Sequence, residues 1–431
     1  MKYCALVDCN NFYVSCERLF NPALEKRPVI ILSNNDGCVV ARSQEAKQLG
    51  IGMGEPFFKV SDLCSKRDVV VYSSNYQLYG DLSERVMAVL ATATPDLEIY
   101  SIDEAFLWFP ESMSIKQVVE TCVRVRQQVY QWVGIPTSIG IAPTKTLAKL
   151  ATALAKESQK KEPLSPTRKR SAVISLLSNS DWEPILKTTP IRQLWGVGAG
   201  LEKRFHGLGI QTAWDLHESD PLLIRHRAGI VGERLLWELH GVNCLPLEKA
   251  ESRKSITCSR SFGEAVTDPQ DLSEALSTHI SSACEKLRED GLCATAMQVF
   301  ALTAIDPITE ERNRYGTTIS FPTPTNDTPY AIDLATKTLH QWAKQGPRYK
   351  KCGVVMFDFV PEQQVSPDLF HGGLGNKRRE VLNVVDAINA RFGKNTLFYG
   401  ATGVHPRWQM RCDHRSRRYT TCWDELATVR A

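Results

Sequence analysis

The chain has 431 residues, 43% hydrophobic and 23% charged, with a net charge of +4. That length exceeds what one hydrophobic core usually serves, so roughly two to four domains are expected. No apolar run approaches the roughly 20 residues that span a bilayer, and Met1-Lys2-Tyr3-Cys4 carries no signal-peptide pattern, so no membrane span and a cytoplasmic location are expected. Thirteen cysteines without a Cys-x-x-Cys pair read as mostly buried free thiols. Basic residues cluster at 160–170, 253–260, 348–351, 377–379 and 407–418. One such cluster is usually a solvated face, but five suggest an extended track for a polyanion.

The first apolar run, 3–7, reads as a strand ending at Asp8, and 12–20 as a helix with Phe12, Cys16 and Leu19/Phe20 on one face. A short strand at 28–32 enters Asn34-Asn35-Asp36-Gly37, a turn where Asn and Gly accept positive φ. A second strand follows at 38–41, then a helix capped by Ser43 and ended by Gly50. Leu78, Leu82, Val86, Val89 and Leu90 predict a helix over 76–94. Strands at 97–101 and 105–109 leave Asp103-Glu104 in the turn between them. An amphipathic helix at 115–133 and a strand at 137–141 precede a helix capped by Thr144 and running to about residue 156. This order fits a ferredoxin-like sheet covered by helices, with Asp8 and the Asp103-Glu104 turn on strands that can lie side by side.

Residues 158–171, polar, basic and Pro-containing, read as a mobile connection. Residues 172–243 read as all-helical, with a Gly hairpin at Gly196-Val197-Gly198 between helices. From 256 the pattern is α+β again: a helix at 272–287, strands near 295–303 and 317–321, a helix at 330–342 and a strand at 353–359. Gly-, Gln- and Arg-rich segments follow Pro361, with one short helix near 379–391.

Three acids at strand ends, Asp8, Asp103 and Glu104, suit a pair of divalent ions that clamp a phosphoryl transfer. Taken alone, an Asp-Glu pair is usually just a polar turn. Next to Asp8, however, Cys9-Asn10-Asn11-Phe12-Tyr13 turns from strand into helix, and a helix N-terminus suits a triphosphate. Lys145, Lys149 and Lys156 share one helix face by spacing, either a solvated stripe or charges aimed at phosphates. The Gly196/Gly198 hairpin would let backbone amides approach a DNA phosphate, although a Gly pair also simply ends a helix. Cys412, His414, Cys422 and His405 match no trusted zinc spacing.

Several segments together carry a family likeness. They are Asp8-Cys9-Asn10-Asn11-Phe12-Tyr13, Leu32-Ser33-Asn34-Asn35-Asp36-Gly37-Cys38, Tyr72-Ser73-Ser74-Asn75-Tyr76 and Tyr100-Ser101-Ile102-Asp103-Glu104-Ala105-Phe106. Gly140-Ile141-Ala142-Pro143-Thr144-Lys145-Thr146-Leu147-Ala148-Lys149, Ser259-Arg260-Ser261-Phe262-Gly263-Glu264 and Arg418-Tyr419-Thr420-Thr421 add to it. Over nearly its whole length the chain resembles the Y-family translesion DNA polymerases, and within them the UmuC branch with its plasmid- and mobile-element-borne relatives.

The resemblance implies an α+β multidomain right hand. Its ferredoxin-like palm would be 1–24 with 76–170, its small fingers 25–75, its helix-hairpin-helix thumb 171–245 and its α+β little finger 246–360, followed by a C-terminal tail at 361–431. It implies Asp8, Asp103 and Glu104 as catalytic acids on two Mg²⁺ ions, with the Cys9 carbonyl as a further ligand. Asn11 and Phe12 amides would hold the triphosphate, and Tyr13 would be the steric gate against a ribose 2′-OH. Where relatives place a hydroxyl, a Tyr and an Arg on the phosphates, this chain has Ala41, Gln44 and Lys47, with Arg42 a possible substitute. Lys156 matches a palm lysine on the β/γ-phosphates. DNA contacts would fall at Gly196, Gly198, Arg253, Lys254, Ser259 and Arg260. Gln364 with Leu369-Phe370 resembles a sliding-clamp peptide at longer spacing than usual.

The implied activity is error-prone, template-directed DNA synthesis across damaged bases in SOS mutagenesis, from dNTPs on damaged primer-template DNA. The implied partners are a UmuD′-type dimer, the RecA filament and the sliding clamp, in a bacterial, nucleoid-associated setting. Two other readings stay open from residues alone: a catalytically idle DNA scaffold, and a nucleotide cyclase sharing the palm acids. The cyclase would have no use for the Gly hairpin or the basic C-terminal tail.

Overall fold

The computed structural model describes residues 3–161, 172–247, 253–305, 311–343, 346–365, 376–404, 407–408 and 410–427. The chain divides into two compact units, one of Met1–Ser33, Cys38–Ala250 and His414–Ala431, the other of Asn34–Gly37 and Glu251–Asp413.

In the first unit the order is β1 (Tyr3–Cys9), α1 (Phe12–Phe20), β2 (Val29–Leu32), β3 (Val39–Arg42), α2 (Gln44–Gln48), α3 (Phe57–Lys66), β4 (Val70–Ser73) and α4 (Tyr76–Ala91). Then come β5 (Leu97–Ile99), β6 (Glu104–Phe109), α5 (Ile115–Val133), β7 (Thr137–Ala142) and α6 (Lys145–Lys161). β8 (Val173–Ser175), α7 (Asn179–Thr188), α8 (Ala199–His206), α9 (Ala213–His217) and α10 (Pro221–Leu239) complete it.

The main sheet has the order β5-β6-β1-β7-β8, with β1 antiparallel to both β6 and β7. Strand side chains alternate between faces, and β1 divides its own accordingly. Ala5 and Val7 enter a core with α4 and α5 residues such as Leu82, Val86, Val118 and Val125. Cys4 and Leu6 enter the opposite core, with Leu147 and Ala151 of α6 and the residues of α7–α10. Asp8 follows the parity of Cys4 and Leu6, and Glu104 that of Phe106 and Trp108, so both acids belong to the α6 side. A smaller sheet, β3-β2-β4, carries its own core of Ile30, Leu32, Val39 and Val60.

The second unit runs β9 (Ser255–Val266), α11 (Pro269–Glu289), β10 (Leu292–Thr303), β11 (Arg314–Thr325), α12 (Thr328–Trp342), β12 (Tyr349–Pro361) and α13 (Asn376–Phe392). Its sheet has the order β11-β10-β12-β9, and α11 and α12 bury Leu276, Ile280, Ala331 and Leu339 against it. No helix among the described residues is long and apolar enough to cross a membrane.

Several sequence expectations are corrected. Asp8 lies within β1 and Glu104 opens β6, so only Asp103 of the pair remains in the turn. Positive φ in the 34–37 turn falls on Asn35 and Asp36, not on Gly37. Leu19, expected on the apolar face of α1, is 37% exposed, and Glu17 is buried. The 172–243 region is not all-helical, because β8 pairs in parallel with β7. α6 continues to Lys161, beyond the expected start of the 158–171 connection, and residues 162–171 lie outside the described residues. The Gly hairpin follows a single 3-10 turn (Ile191–Gln193), not a full helix. α3 and β4 were not expected at all.

Candidate active site

β1 and β6 pair in register so that Asp8 stands directly opposite Glu104. The turn that delivers Glu104 is shaped by Ser101. Its hydroxyl accepts from the Asp103 and Glu104 amides at 3.3 and 3.0 Å and donates to Asp103 Oδ1 at 2.7 Å. The Cys9 amide donates to the Asp103 carbonyl at 2.9 Å, tying the end of β1 to the same turn. Both carboxylates on the α6 side meet a lysine of that helix. Lys156 donates to Asp8 Oδ2, and Lys149 donates to Glu104 Oε2 at 3.1 Å.

Burial pushes the Asp8 carboxyl up to about 7, and Glu104 adds to the rise against the opposing pull of Lys156. Two carboxylates that close repel each other. Lysine counter-charges fill the role that a divalent cation would fill among the same hard oxygen ligands, so the donor set fits such an ion. Among the described residues, no group of three or more His, Cys, Asp or Glu is drawn together as a metal cage. The structure brings together Asp8 and Glu104. Asp103 is engaged by Ser101, and its charge contributes to the rise of the Tyr13 hydroxyl to about 12, behind the larger effect of burial.

Lys149 is held on a second side by aromatic rings, 4.7 Å from the Tyr100 centroid and 5.1 Å from that of Trp195. Trp195 Nε1 donates to the Tyr100 hydroxyl at 3.2 Å. An open cavity of about 570 Å³ is lined by Asp8, Glu104, Lys149, Lys156 and Trp195. Lys145 does not join this face. It is buried, donating to Glu98 at 2.6 Å and to the Pro246 carbonyl at 3.1 Å, so the three-lysine stripe reduces to two.

On the other side of β1, Asn11 enters α1 in the left-handed region (φ 44°, ψ 47°) and makes no side-chain cap, leaving its carboxamide to accept from Lys47 Nζ at 2.7 Å. Asn11 and Lys47, separate phosphate candidates in sequence, therefore meet. Phe12 is buried in the core that Ala5 and Val7 enter. Arg42 is engaged elsewhere, donating to the Ile51 carbonyl at 2.5 Å with its Nε buried and unpartnered. Gln44 is the first residue of α2, behind a Ser43 side chain that accepts from the Ala46 amide. The Tyr13 ring stacks on Tyr79 at 4.5 Å and meets Tyr76 edge-on at 6.0 Å.

The nucleic-acid candidates fall in both units. Gly196 has φ 89°, a conformation that side chains rarely adopt, and Gly198 caps α8; a Cβ at either would meet open space. In the second unit, Ser259 and Arg260 lie on β9, a terminal strand of the sheet, while Arg253 pairs with Asp290 at 3.2 Å. Lys254 precedes the same strand. Gln364 is exposed in the turn after β12, whereas Leu369 and Phe370 lie outside the described residues. His405 does too.

Sequence reasoning missed Ser101, Tyr100, Trp195, Tyr79 and Glu17 as parts of this arrangement. Ser101 carried a signal, a hydroxyl two residues before an acid in a tight turn. The others acquire meaning only through distant partners.

A family model described as the impB/mucB/samB family matches residues 7–153, and its C-terminal-domain model matches 253–369. A further model, described only as a domain of unknown function, matches 379–429. Protein UmuC of Salmonella typhimurium is 38% identical over 428 residues, covering 99% of this chain and 100% of that protein. Protein ImpB of Salmonella typhimurium is 37% identical, with 99% of each chain covered. DNA polymerase IV of Pelotomaculum thermopropionicum is 27% identical over 91% of this chain and 93% of its own. Among solved structures, the Y-family DNA polymerase chimera Dbh-Dpo4(243-245)-Dbh matches with a TM-score of 0.62 at 20% identity, over 83% of this chain and 99% of that one. That likeness concerns the fold.

Proposed function

The chain belongs to the impB/mucB/samB family, the UmuC-like branch of the Y-family DNA polymerases, and from that premise we propose that its nucleotidyl transfer takes place at the Asp8–Asp103–Glu104 edge of the five-stranded sheet. It is an error-prone, template-directed DNA polymerase of translesion synthesis, acting on primer-template DNA and dNTPs with a divalent metal cofactor. The observation that carries the location is the Asp8–Glu104 pair across β1 and β6, each acid held by a lysine of α6.

In this reading Asp8, Asp103, Glu104 and the Cys9 carbonyl would supply the oxygens for two Mg²⁺ ions. When bound, such ions would supply acidification of the primer hydroxyl and neutralisation of charge on the phosphates. The primer 3′-OH gives up its proton to water and its oxygen attacks the α-phosphorus of the dNTP, as the bond from that phosphorus to pyrophosphate breaks. The protein contributes mainly orientation and fixed charge. Lys156 and Lys47, the Asn11 and Phe12 amides, and Gln44 face the triphosphate. Arg42, engaged by Ile51, is left out of that set. Tyr13 blocks the ribose 2′-OH.

The domain division follows the same reading: palm 1–24 and 76–170, fingers 25–75, thumb 171–245, little finger 246–360 and tail 361–431. The thumb hairpin at Gly196 and Gly198 and the β9 residues Ser259 and Arg260, with Arg253 and Lys254, follow the DNA backbone. A UmuD′-type dimer, the RecA filament and a sliding clamp engaging Gln364 and Leu369-Phe370 complete the assembly.

The test is primer extension with Mg²⁺ by Asp103→Asn. Extension is lost while primer-template binding, read by anisotropy, persists. Retained extension removes Asp103 from the site, and turnover of nucleotide without DNA points to a cyclase instead.

A further inference from the structure

Residues 414–427 fall within the stretch matched only by a domain of unknown function, and they pack inside the first unit. Their path is held by main-chain bonds. The His414 amide donates to Ser73 Oγ at 3.0 Å, the Ser73 amide donates to the His414 carbonyl at 3.1 Å, and Arg415 bridges Ser73 in parallel. Asn75, whose Oδ1 accepts from the Leu78 amide at the start of α4, turns its Nδ2 to the Ser416 carbonyl, the Ser416 hydroxyl and the Arg417 carbonyl at 3.0–3.2 Å. The segment closes on itself where the Arg418 guanidinium donates through Nε to Glu425 at 2.8 Å.

Two contacts carry it to α1. Tyr419 stacks on Phe20 with centroids 4.6 Å apart and planes 8° from parallel. Ser416 Oγ donates to Glu17 Oε1 at 2.9 Å, and the same oxygen accepts from the Tyr79 hydroxyl at 2.6 Å. Glu17 is 2% exposed and Tyr79 fully buried. A buried carboxylate needs its donors, so the Ser416 and Tyr79 hydroxyls constrain each other through it. Tyr79 in turn is the ring on which Tyr13 stacks, with planes 16° apart. Glu17 also lies four residues beyond Tyr13 on α1, one helical turn away.

We propose that the C-terminal segment around Ser416 is a positioning element for sugar discrimination, fixing the plane of the Tyr13 ring through Glu17 and Tyr79. This rests on the reading of Tyr13 as the steric gate. A gate of that kind works by a clash, and a clash is sensitive to a few tenths of an ångström in ring position. Loosening Tyr79 therefore admits ribonucleotides without touching the metal acids. Ser416, Glu17 and Tyr79 are positioning residues, since none faces the nucleotide itself.

The experiment measures the ratio of kcat/KM for dNTP and for the matching rNTP with the full chain on primer-template DNA. The same ratio is read as dissociation constants on a dideoxy-terminated primer, which needs no turnover. Both are independent of the fraction of folded protein, so a merely structural role leaves them unchanged. Ser416→Ala is expected to lower the ratio about 3- to 10-fold, Glu17→Leu more, while Ser416→Thr and Glu17→Gln, which keep the donor and the acceptor, restore it. In a Tyr13→Ala background Ser416→Ala has no further effect. If Tyr13→Ala lowers the ratio but Ser416→Ala and Glu17→Leu do not, the positioning role is overturned. If Tyr13→Ala itself leaves the ratio unchanged, the gate reading fails and the proposal with it.

Discussion

Gly140 is the position at which the seating of α6, and with it the placing of both site lysines, is most directly exposed to test. It lies in β7 opposite Leu6 of β1. A Cβ added there would stand 2.2 Å from the Thr152 amide nitrogen and 2.4 Å from the Ala148 carbonyl oxygen. Both are main-chain atoms of α6, so no rotamer change relieves the clash. Ordinary contact begins at 3.4 Å, and Gly140→Ala therefore pushes the helix back by about 1.2 Å. Overpacking of this kind costs ~1–3 kcal/mol, and the rigid neighbours put it near the upper end. At about 2–4 °C per kcal/mol for a unit of this size, the melting temperature should fall by roughly 6–12 °C. The displaced helix carries Lys149 and Lys156 away from Glu104 and Asp8. Since a misplacement of ~1 Å can cost about 100-fold in rate, primer extension should fall by roughly 10- to 100-fold at a temperature where the variant is still folded. Circular dichroism melts and single-nucleotide extension read both quantities. Gly200→Ala, with nothing within 4 Å of its added Cβ, is the control and should melt at or slightly above the parent temperature. A Gly140→Ala protein with the parent's Tm and rate would refute the account of how α6 is seated.

Lys149→Met keeps the stem against Tyr100 and Trp195 but removes the charge on Glu104. Mn²⁺ binding to the free protein, followed by electron paramagnetic resonance, should tighten by about 3- to 10-fold, the equivalent of ~1 kcal/mol for a partly exposed ion pair no longer competing; an unchanged dissociation constant would show that the lysine and the cation do not compete. Burial raises the Glu17 carboxyl above its ordinary value, despite the hydroxyls of Tyr79 and Ser416 that pull it down. A carboxyl raised by folding makes the native state bind the proton more tightly, so wild-type stability declines as pH rises from about 4.3 through the raised native value. Glu17→Gln lacks that loss, and its Tm relative to wild type should increase between pH 4 and pH 8; a constant difference would mean that Glu17 titrates normally.

Period and punctuation made much of the chain legible beforehand. The apolar spacing of 115–133 gave the bounds of α5 to the residue, because a helix with one buried stripe repeats its pattern whatever it packs on. The same held for α1 at 12–20, although Leu19 is exposed and Glu17 buried. The two acidic segments could also be chosen from sequence, since acids ending apolar runs stand out locally. β8 could not, because three residues become a strand only when β7 is already there to pair with.

Tertiary structure alone decided which charges meet. Register across β1 and β6 set Asp8 opposite Glu104, and the pleat turned both toward α6, so Lys149 and Lys156 found partners while Lys145 was drawn to Glu98. Ser416 reaches Glu17 from 399 positions away in the chain. Such pairs leave no periodic trace in sequence, because they depend on the path of the backbone between them and not on the residues beside them.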